Sequence, residues 1–365
     1  MPNGVIKGNK GDWSEIYAFF KILTDRKLVG AGENLAAIPE QTFDVLSVVR
    51  SEKEGSQIVT RTYNLTQPED SVEIASSDTP GTTVVNLKKL KNAVRDIFTS
   101  IELAEGRSFN LSQAEAFMHE LQCSKIKASS QDKTDIRLMI KDRFTQGNVE
   151  SGFSIKTAHC SPPTLLNTSK QNTRFLYKVI RNTQEGGGEM VVGNRVRDRV
   201  SSVYDSGSLE FVKVESETFR ENLHFIDGTF PLILATMLSL YHRGAASTVV
   251  DLVALLPDEP SLQNPKRNLA FYEHNVKEFL EAIALGMTPA RAWTGLPQAN
   301  GGYIVVKDDG DLVCYHRADR EHFLNYLYTH TRFDTPSTTR HEYGSIETND
   351  IGEELLRLNI QIRFI

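Results

Sequence analysis

Asp135 and Lys156 are the residues whose types and spacing can do chemistry together. Asp135 opens a stretch in which Ile136, Leu138 and Ile140 alternate with Arg137 and Lys141, broken by the apolar Met139. That alternation predicts a strand over 135–141 with one buried face. Residues 153–158 read as a second strand, with Lys156 near its end. Side chains two apart on a strand share a face, so Ser154 and Lys156 point one way and Ile155 points into the core. A carboxylate at the start of one strand and an ammonium at the end of the next suit metal-assisted phosphodiester cleavage. That reaction needs a fixed oxygen ligand for the metal, a second ligand to place it, and a cation to offset phosphate charge and activate water. Mg²⁺ takes oxygen ligands, usually one or two carboxylates with waters and phosphate. The carbonyl of Ile155 is a further oxygen able to face the metal. Asp and Lys in neighbouring strands are also common as plain surface charges, so the pair alone specifies little.

The elements that must position this pair are partly readable. Trp13, Ile16, Tyr17, Phe20 and Leu23 fall at helical spacing and predict a helix over 12–23, with Asp12 as its cap. Glu15, three residues on, either closes a capping box with Asp12 or turns toward the Asp135/Lys156 pair. Residues 57–65 and 71–74 read as two strands, followed by helices over 87–98 and 111–121, the latter capped by Ser112. A helix is expected over 169–180, with Lys170, Gln171, Asn172 and Arg174 in its first turns. Glycine-rich 185–189 reads as a loop and a boundary; it matches neither a dinucleotide fingerprint nor a Walker loop. Helices follow near 194–204, 216–226, 228–242 and 271–285, the last stopped by Gly286. Residues 301–316 read as a hairpin around 308–311, and 319–329 as a short helix. The expected class is α/β (α+β), a mixed sheet flanked by helices. The divisions expected are 1–30 as the first helix of a core, 31–122 as an inserted or auxiliary region, 123–185 as core strands and helix, and 186–365 as a helical and hairpin region.

Composition sets limits. A chain of 365 residues with 39% hydrophobic residues can bury a sizeable core. The net charge of −6 excludes a polycationic tail protein. The charge is uneven, however: residues 121–181 hold eleven Lys and Arg against four Asp and Glu. A cationic segment in an acidic protein suits a polyanion, although a solvated face reads the same way. Three cysteines, Cys123, Cys160 and Cys314, are too few and too scattered for a disulfide frame, and His159–Cys160 lacks partners for zinc. No apolar run approaches membrane-spanning length, and the N-terminus has no signal-peptide core, so a cytoplasmic protein is expected.

The layout of Asp135, Ser154 and Lys156 resembles the PD-(D/E)XK nuclease core, with one departure: Ser154 stands where the second acid is usual. The resemblance implies that an acid is recruited from a neighbouring helix, and Glu15 is the best candidate. Longer strings carry a second, more specific resemblance: Gly8-Asn9-Lys10-Gly11-Asp12-Trp13, Asp132-Lys133-Thr134-Asp135-Ile136, Gly152-Phe153-Ser154-Ile155-Lys156-Thr157, Ser161-Pro162-Pro163-Thr164 and Thr335-Pro336-Ser337-Thr338-Thr339-Arg340-His341. These are similar, in one order, to the HpaII-type restriction endonucleases. The resemblance implies a type II enzyme that cuts double-stranded DNA with Mg²⁺ at a short palindrome, typically CCGG. Asp135, Glu15 and the Ile155 carbonyl would hold the metal, while Lys156 and Ser154 would complete the site. Arg340, His341, Lys170, Gln171 and Arg174 are the candidates for contacts to bases or phosphates. A palindrome favours a homodimer, and a restriction enzyme implies a cognate DNA methyltransferase. The alternative is a DNA-binding protein of nuclease descent that lost catalysis with its second acid.

Overall fold

The computed structural model describes residues 5–65, 68–127, 134–141, 147–158, 162–182, 195–262, 264 and 267–365. The expected loop at 185–189, the pair His159–Cys160, and Asp132, Lys133 and Ser161 lie outside them. The chain divides into two units, Met1–Pro163 with Pro297–Phe323, and Thr164–Leu296 with Leu324–Ile365.

The first unit opens with α1 (Lys10–Asp25). Its cap is Asn9 rather than Asp12. The Asn9 Oδ1 accepts from the Asp12 amide at 2.9 Å, and the Asp12 carboxylate accepts from the Asn9 amide at 3.0 Å. Asp12 is therefore the inner partner of the capping box, and Glu15 has no part in it. The helix buries Trp13, Ile16, Phe19 and Phe20 completely.

Five strands follow: β1 (Lys27–Ala31), β2 (Ala37–Glu54), β3 (Gln57–Asn64), β4 (Ser71–Ser76) and β5 (Thr79–Asn86). Then come α2 (Lys88–Leu103), α3 (Ser112–Glu120), β6 (Ile136–Lys141) and β7 (Asn148–Thr157). Ser112 is the first residue of α3, and no side chain caps that helix.

The chain then enters the second unit with β8 (Thr164–Leu166), β9 (Arg174–Arg181), α4 (Val196–Ser206), β10 (Gly207–Val214), α5 (Glu217–His224), α6 (Phe230–Arg243), α7 (Val249–Leu255) and α8 (Leu269–Leu285). It returns to the first unit for β11 (Gly302–Val306) and β12 (Leu312–His316), the expected hairpin. It closes with α9 (Arg320–Thr329), β13 (Thr331–Phe333), α10 (Thr338–His341), β14 (Ile346–Thr348), β15 (Glu354–Asn359) and β16 (Ile362–Phe364).

In the first unit, nine strands form one mixed sheet in the order β1-β12-β11-β7-β6-β2-β3-β4-β5. β6 runs antiparallel to β7, and β11 runs parallel to it. At 18 residues, β2 is long enough to pair β1 with its first part and β6 and β3 with the rest. The stretch 31–122, expected as an insertion, supplies four strands of this same sheet. It also shares one apolar core with α1: Val48, Tyr63, Ile74 and Phe98 pack in the cluster that holds Trp13, Phe153 and Ile155.

In the second unit, the expected helix over 169–180 is instead a 3-10 turn, Lys170–Thr173, followed by β9. Phe175, Leu176, Tyr177 and Val179 are buried there, and β9 is paired on both edges, by β10 and β15. A strand buried on both faces loses the alternation that separates it from a buried helix. α6 is apolar nearly all round and buried on most sides, with Pro231 in its first turn.

His242, at the end of α6, is 2% exposed, and its Nε2 has no hydrogen-bond partner among the described residues. Burial pushes its pKa down to about 4. The ordinary value in the unfolded chain is about 6.5, so the unfolded state binds the proton first as pH falls. His242 therefore removes stability on acidification: between pH 7 and pH 5 the loss is about 2 kcal/mol. Urea unfolding of the wild type and of His242→Gln at the two pH values measures this. The wild type should lose the larger share, and equal losses would contradict the assignment.

Candidate active site

β7 carries the centre of the site. Phe153 and Ile155 face the core under α1, so Ser154 and Lys156 share the opposite face. β6 meets β7 with Ile136 opposite Phe153, and the Asp135 amide donates to the Phe153 carbonyl at 2.9 Å. Asp135 thus stands just before β6, at the level of Ser154. Gly152 is what lets the chain before β6 approach so closely: a Cβ there would lie 2.8 Å from Thr134 Cγ2.

The side chains then interlock. The Lys156 ammonium donates to Ser154 Oγ at 2.8 Å, and Ser154 Oγ donates to Asp135 Oδ2 at 2.9 Å. The Ile155 amide donates to the same oxygen at 2.7 Å. The hydroxyl of Ser154 is therefore a bridge between carboxylate and ammonium. Alternate residues of β7 address alternate neighbours: Gly152 O accepts from β11's side, at the Gly301 amide, and Phe153 O accepts from Asp135. By that alternation the Ile155 carbonyl leaves the same edge as its amide, on the Asp135 side. Lys156 also lies 5.2 Å from the centre of the Tyr303 ring, on β11 opposite Ser154.

Electrostatics bring in Glu15. α1 packs against β7. Burial raises the Glu15 pKa to about 7, with the Asp135 and Asp12 charges adding to the rise and those of Lys127 and Lys156 opposing it. Burial holds the Lys156 ammonium below the ordinary lysine value, while Asp135 and Glu15 pull it back up. Glu15, Asp135 and Lys156 therefore feel one another's charge. Lys127 is a cation that inspection of the sequence did not single out. Its ammonium pairs with Asp12 at 2.7 Å.

Among the described residues no three His, Cys, Asp or Glu side chains converge in a metal-holding cluster. The donors here are two carboxylates, a backbone carbonyl and a hydroxyl. These hard oxygens fit Mg²⁺ and not a thiolate- or imidazole-loving metal. Asp135 Oδ2 is engaged by the Ser154 and Ile155 donors, which fix the carboxylate's orientation.

In the second unit the five sequence candidates for DNA contact fall on the Lys170–Thr173 turn, the start of β9 and α10. The Lys170–Thr173 turn packs against α10. Arg174 donates from Nη2 to the His341 carbonyl at 2.8 Å and pairs with Glu215 at 3.6 Å, so it pins α10 in place. Lys170, Gln171 and Arg340 are exposed. Burial lowers the His341 pKa, and the charges of Arg340, Lys170 and Arg174 lower it further. Arg195 pairs with Asp198, and Arg199 donates to the Gly344 carbonyl, so that basic helical face is largely tied to the protein itself.

The sequence as a whole carries the class. The family of HpaII restriction endonucleases matches residues 9–364. A relative described as type II restriction enzyme HpaII, from Haemophilus parainfluenzae, is 36% identical over 371 residues, covering 98% of this chain and 98% of its own length. The match defines a type II restriction endonuclease, a site-specific deoxyribonuclease. More particularly, the chain belongs to the HpaII restriction endonuclease family. No solved structure matches it. Among the described residues no helix is long and apolar enough to cross a membrane.

Proposed function

We propose that this enzyme hydrolyses double-stranded DNA at CCGG with Mg²⁺, using a PD-(D/E)XK-like site of Asp135, Glu15, Ser154, Ile155 and Lys156. The observation that supports it best is the linked set Lys156–Ser154–Asp135, with Glu15 electrostatically coupled to both ends. Asp135, the Ile155 carbonyl and Glu15 would hold Mg²⁺, which when bound supplies charge neutralisation and a more acidic water. Lys156 offsets phosphate charge and orients the attacking water. Ser154 keeps carboxylate and ammonium in register. The electrostatic coupling of Glu15 to Asp135 and Lys156 supports a working enzyme, in which Glu15 would supply the acid that Ser154 does not, over the catalytically silent DNA-binding alternative.

Lys170, Gln171, Arg340 and His341 are the proposed base and phosphate contacts, with Arg174 holding their scaffold. CCGG reading calls for Arg or Lys at guanine edges. A homodimer matches the two-fold symmetry of a palindrome, and a cognate DNA methyltransferase and a cytoplasmic location accord with restriction. Digestion of a plasmid followed by sequencing of the fragment ends is the test. The expected result is discrete fragments ending within CCGG, stopped by chelator. Fragments ending at another sequence would overturn the target, and random ends would overturn site-specific reading.

A further inference from the structure

Lys127 ends a segment that the first unit fastens with unusual effort. The fastening is a buried ion cluster on β2 and β3. Arg50, Glu52 and Arg61 are 3%, 1% and 7% exposed. Glu52 accepts from the Ser124 amide at 2.7 Å, from Ser124 Oγ at 2.9 Å and from Cys123 Sγ at 3.0 Å. Arg50 donates to the Lys125 carbonyl at 2.9 Å and to the Ile126 carbonyl at 3.4 Å. Burying charges is costly, and here they are spent on holding four consecutive residues, Cys123 to Ile126, in one conformation. The next residue is Lys127.

The fixed segment delivers an ammonium whose side chain is 59% exposed to the edge of the active site. Lys127 pairs there with Asp12, one turn of α1 before Glu15. Its charge acts on Glu15, and Glu15, Asp135 and Asp12 act on it. Lys127 thus meets α1 at Asp12, and the charges of Glu15 and Asp135 act on it as well. Lys156 is withdrawn beside Ser154 and Tyr303, while Lys127 is open to solvent. A DNA strand entering the pocket brings phosphates spaced along its backbone, and only one of them is cut. The exposed ammonium suits a neighbouring one.

We propose that Lys127 is a DNA-positioning residue that binds a backbone phosphate next to the one attacked at the Asp135/Lys156 site. This rests on the active-site reading above. The bland alternative is that Lys127 only supports α1 through Asp12. The two are separable, because Asp12→Asn keeps the acceptor for the Asn9 amide while removing the charge that pairs with Lys127.

The test compares wild type, Lys127→Gln, Lys127→Arg and Asp12→Asn, each binding a short duplex that wild type cleaves, in chelator, across a salt series. One lost phosphate contact lowers the slope of log affinity against log salt by about 0.9, so the advantage of wild type over Lys127→Gln should shrink about 3.5-fold between 50 and 200 mM salt. Lys127→Arg should keep the wild-type slope, and Asp12→Asn should bind at least as tightly as wild type. An unchanged slope in Lys127→Gln, or equal losses in Lys127→Gln and Asp12→Asn, would overturn the proposal. Failure of the active-site reading shows separately, as Mg²⁺-dependent cutting by an Asp135 variant.

Discussion

Lys156→Ala and Asp135→Asn proteins are expected to cut DNA about a hundred- to a thousandfold more slowly than wild type, a loss of ~3–4 kcal/mol of transition-state stabilisation. Both should stay folded. Lys156 is a desolvated ammonium whose charged form is disfavoured by burial, so its removal relieves a cost rather than adding one. Asparagine at 135 can still accept from Ser154 Oγ and the Ile155 amide, and it loses only the charge that holds a cation. Single-turnover cleavage of plasmid DNA at saturating enzyme, alongside melting curves, separates the two effects. Wild-type rates in either variant would remove that residue from the chemistry. A slow rate with a matching drop in melting temperature would reassign it to structure.

The second large effect is on stability. Glu52→Ala should destabilise the protein by about 3–5 kcal/mol, because it leaves Arg50 buried without its anion, while Arg61 keeps its pairing with Glu54 at 2.8 Å. Although burial pushes the Glu52 carboxyl up, Arg50 and the donors Cys123 and Ser124 outweigh it and hold the pKa below the ordinary value. The group is therefore ionised and engaged in the folded state. Cys123, whose thiol burial pushes up to about 12, is a hydrogen-bond donor here and not a nucleophile. Adding Arg50→Met to Glu52→Ala should restore part of the loss, since the orphaned Arg50 charge is then gone. Chemical denaturation of the single and double variants reads this directly. A Glu52→Ala protein within about 1 kcal/mol of wild type would mean the cluster is worth no more than a surface pair.

The centre of the site was legible because strand periodicity is short. Two residues along β7 suffice to put Ser154 and Lys156 on one face, and the hydrogen bond between them is the outcome. Glu15 was legible as a residue type but not as a place. Whether it served the cap depended on which residue began α1, and the box formed by Asn9 and Asp12 decides that. β9 was misread because Phe175, Leu176, Tyr177, Val179 and Ile180 satisfy helical and strand spacing alike; only its pairing on both edges distinguishes them. The joining of 31–122 to the main sheet was not legible at all. It depends on β2 pairing with β1, β3 and β6, contacts far apart in sequence that no local pattern announces. For the same reason nothing in the sequence marks Arg50 and Glu52, which anchor the segment leading to Lys127. Lys170, Gln171, Arg174, Arg340 and His341 were chosen separately, from two stretches of sequence. Their gathering on the Lys170–Thr173 turn, the start of β9 and the adjoining α10 is a product of the fold.

Anomalous diffraction from crystals grown with Mn²⁺ and a cleavable duplex locates the ion. The account predicts a peak within about 2.1–2.2 Å of an Asp135 carboxylate oxygen and the Ile155 carbonyl, with Glu15 reaching the same ion directly or through one water. A bound cation that leaves Asp135 untouched, or that sits on the far face of the sheet from Lys156, would contradict it.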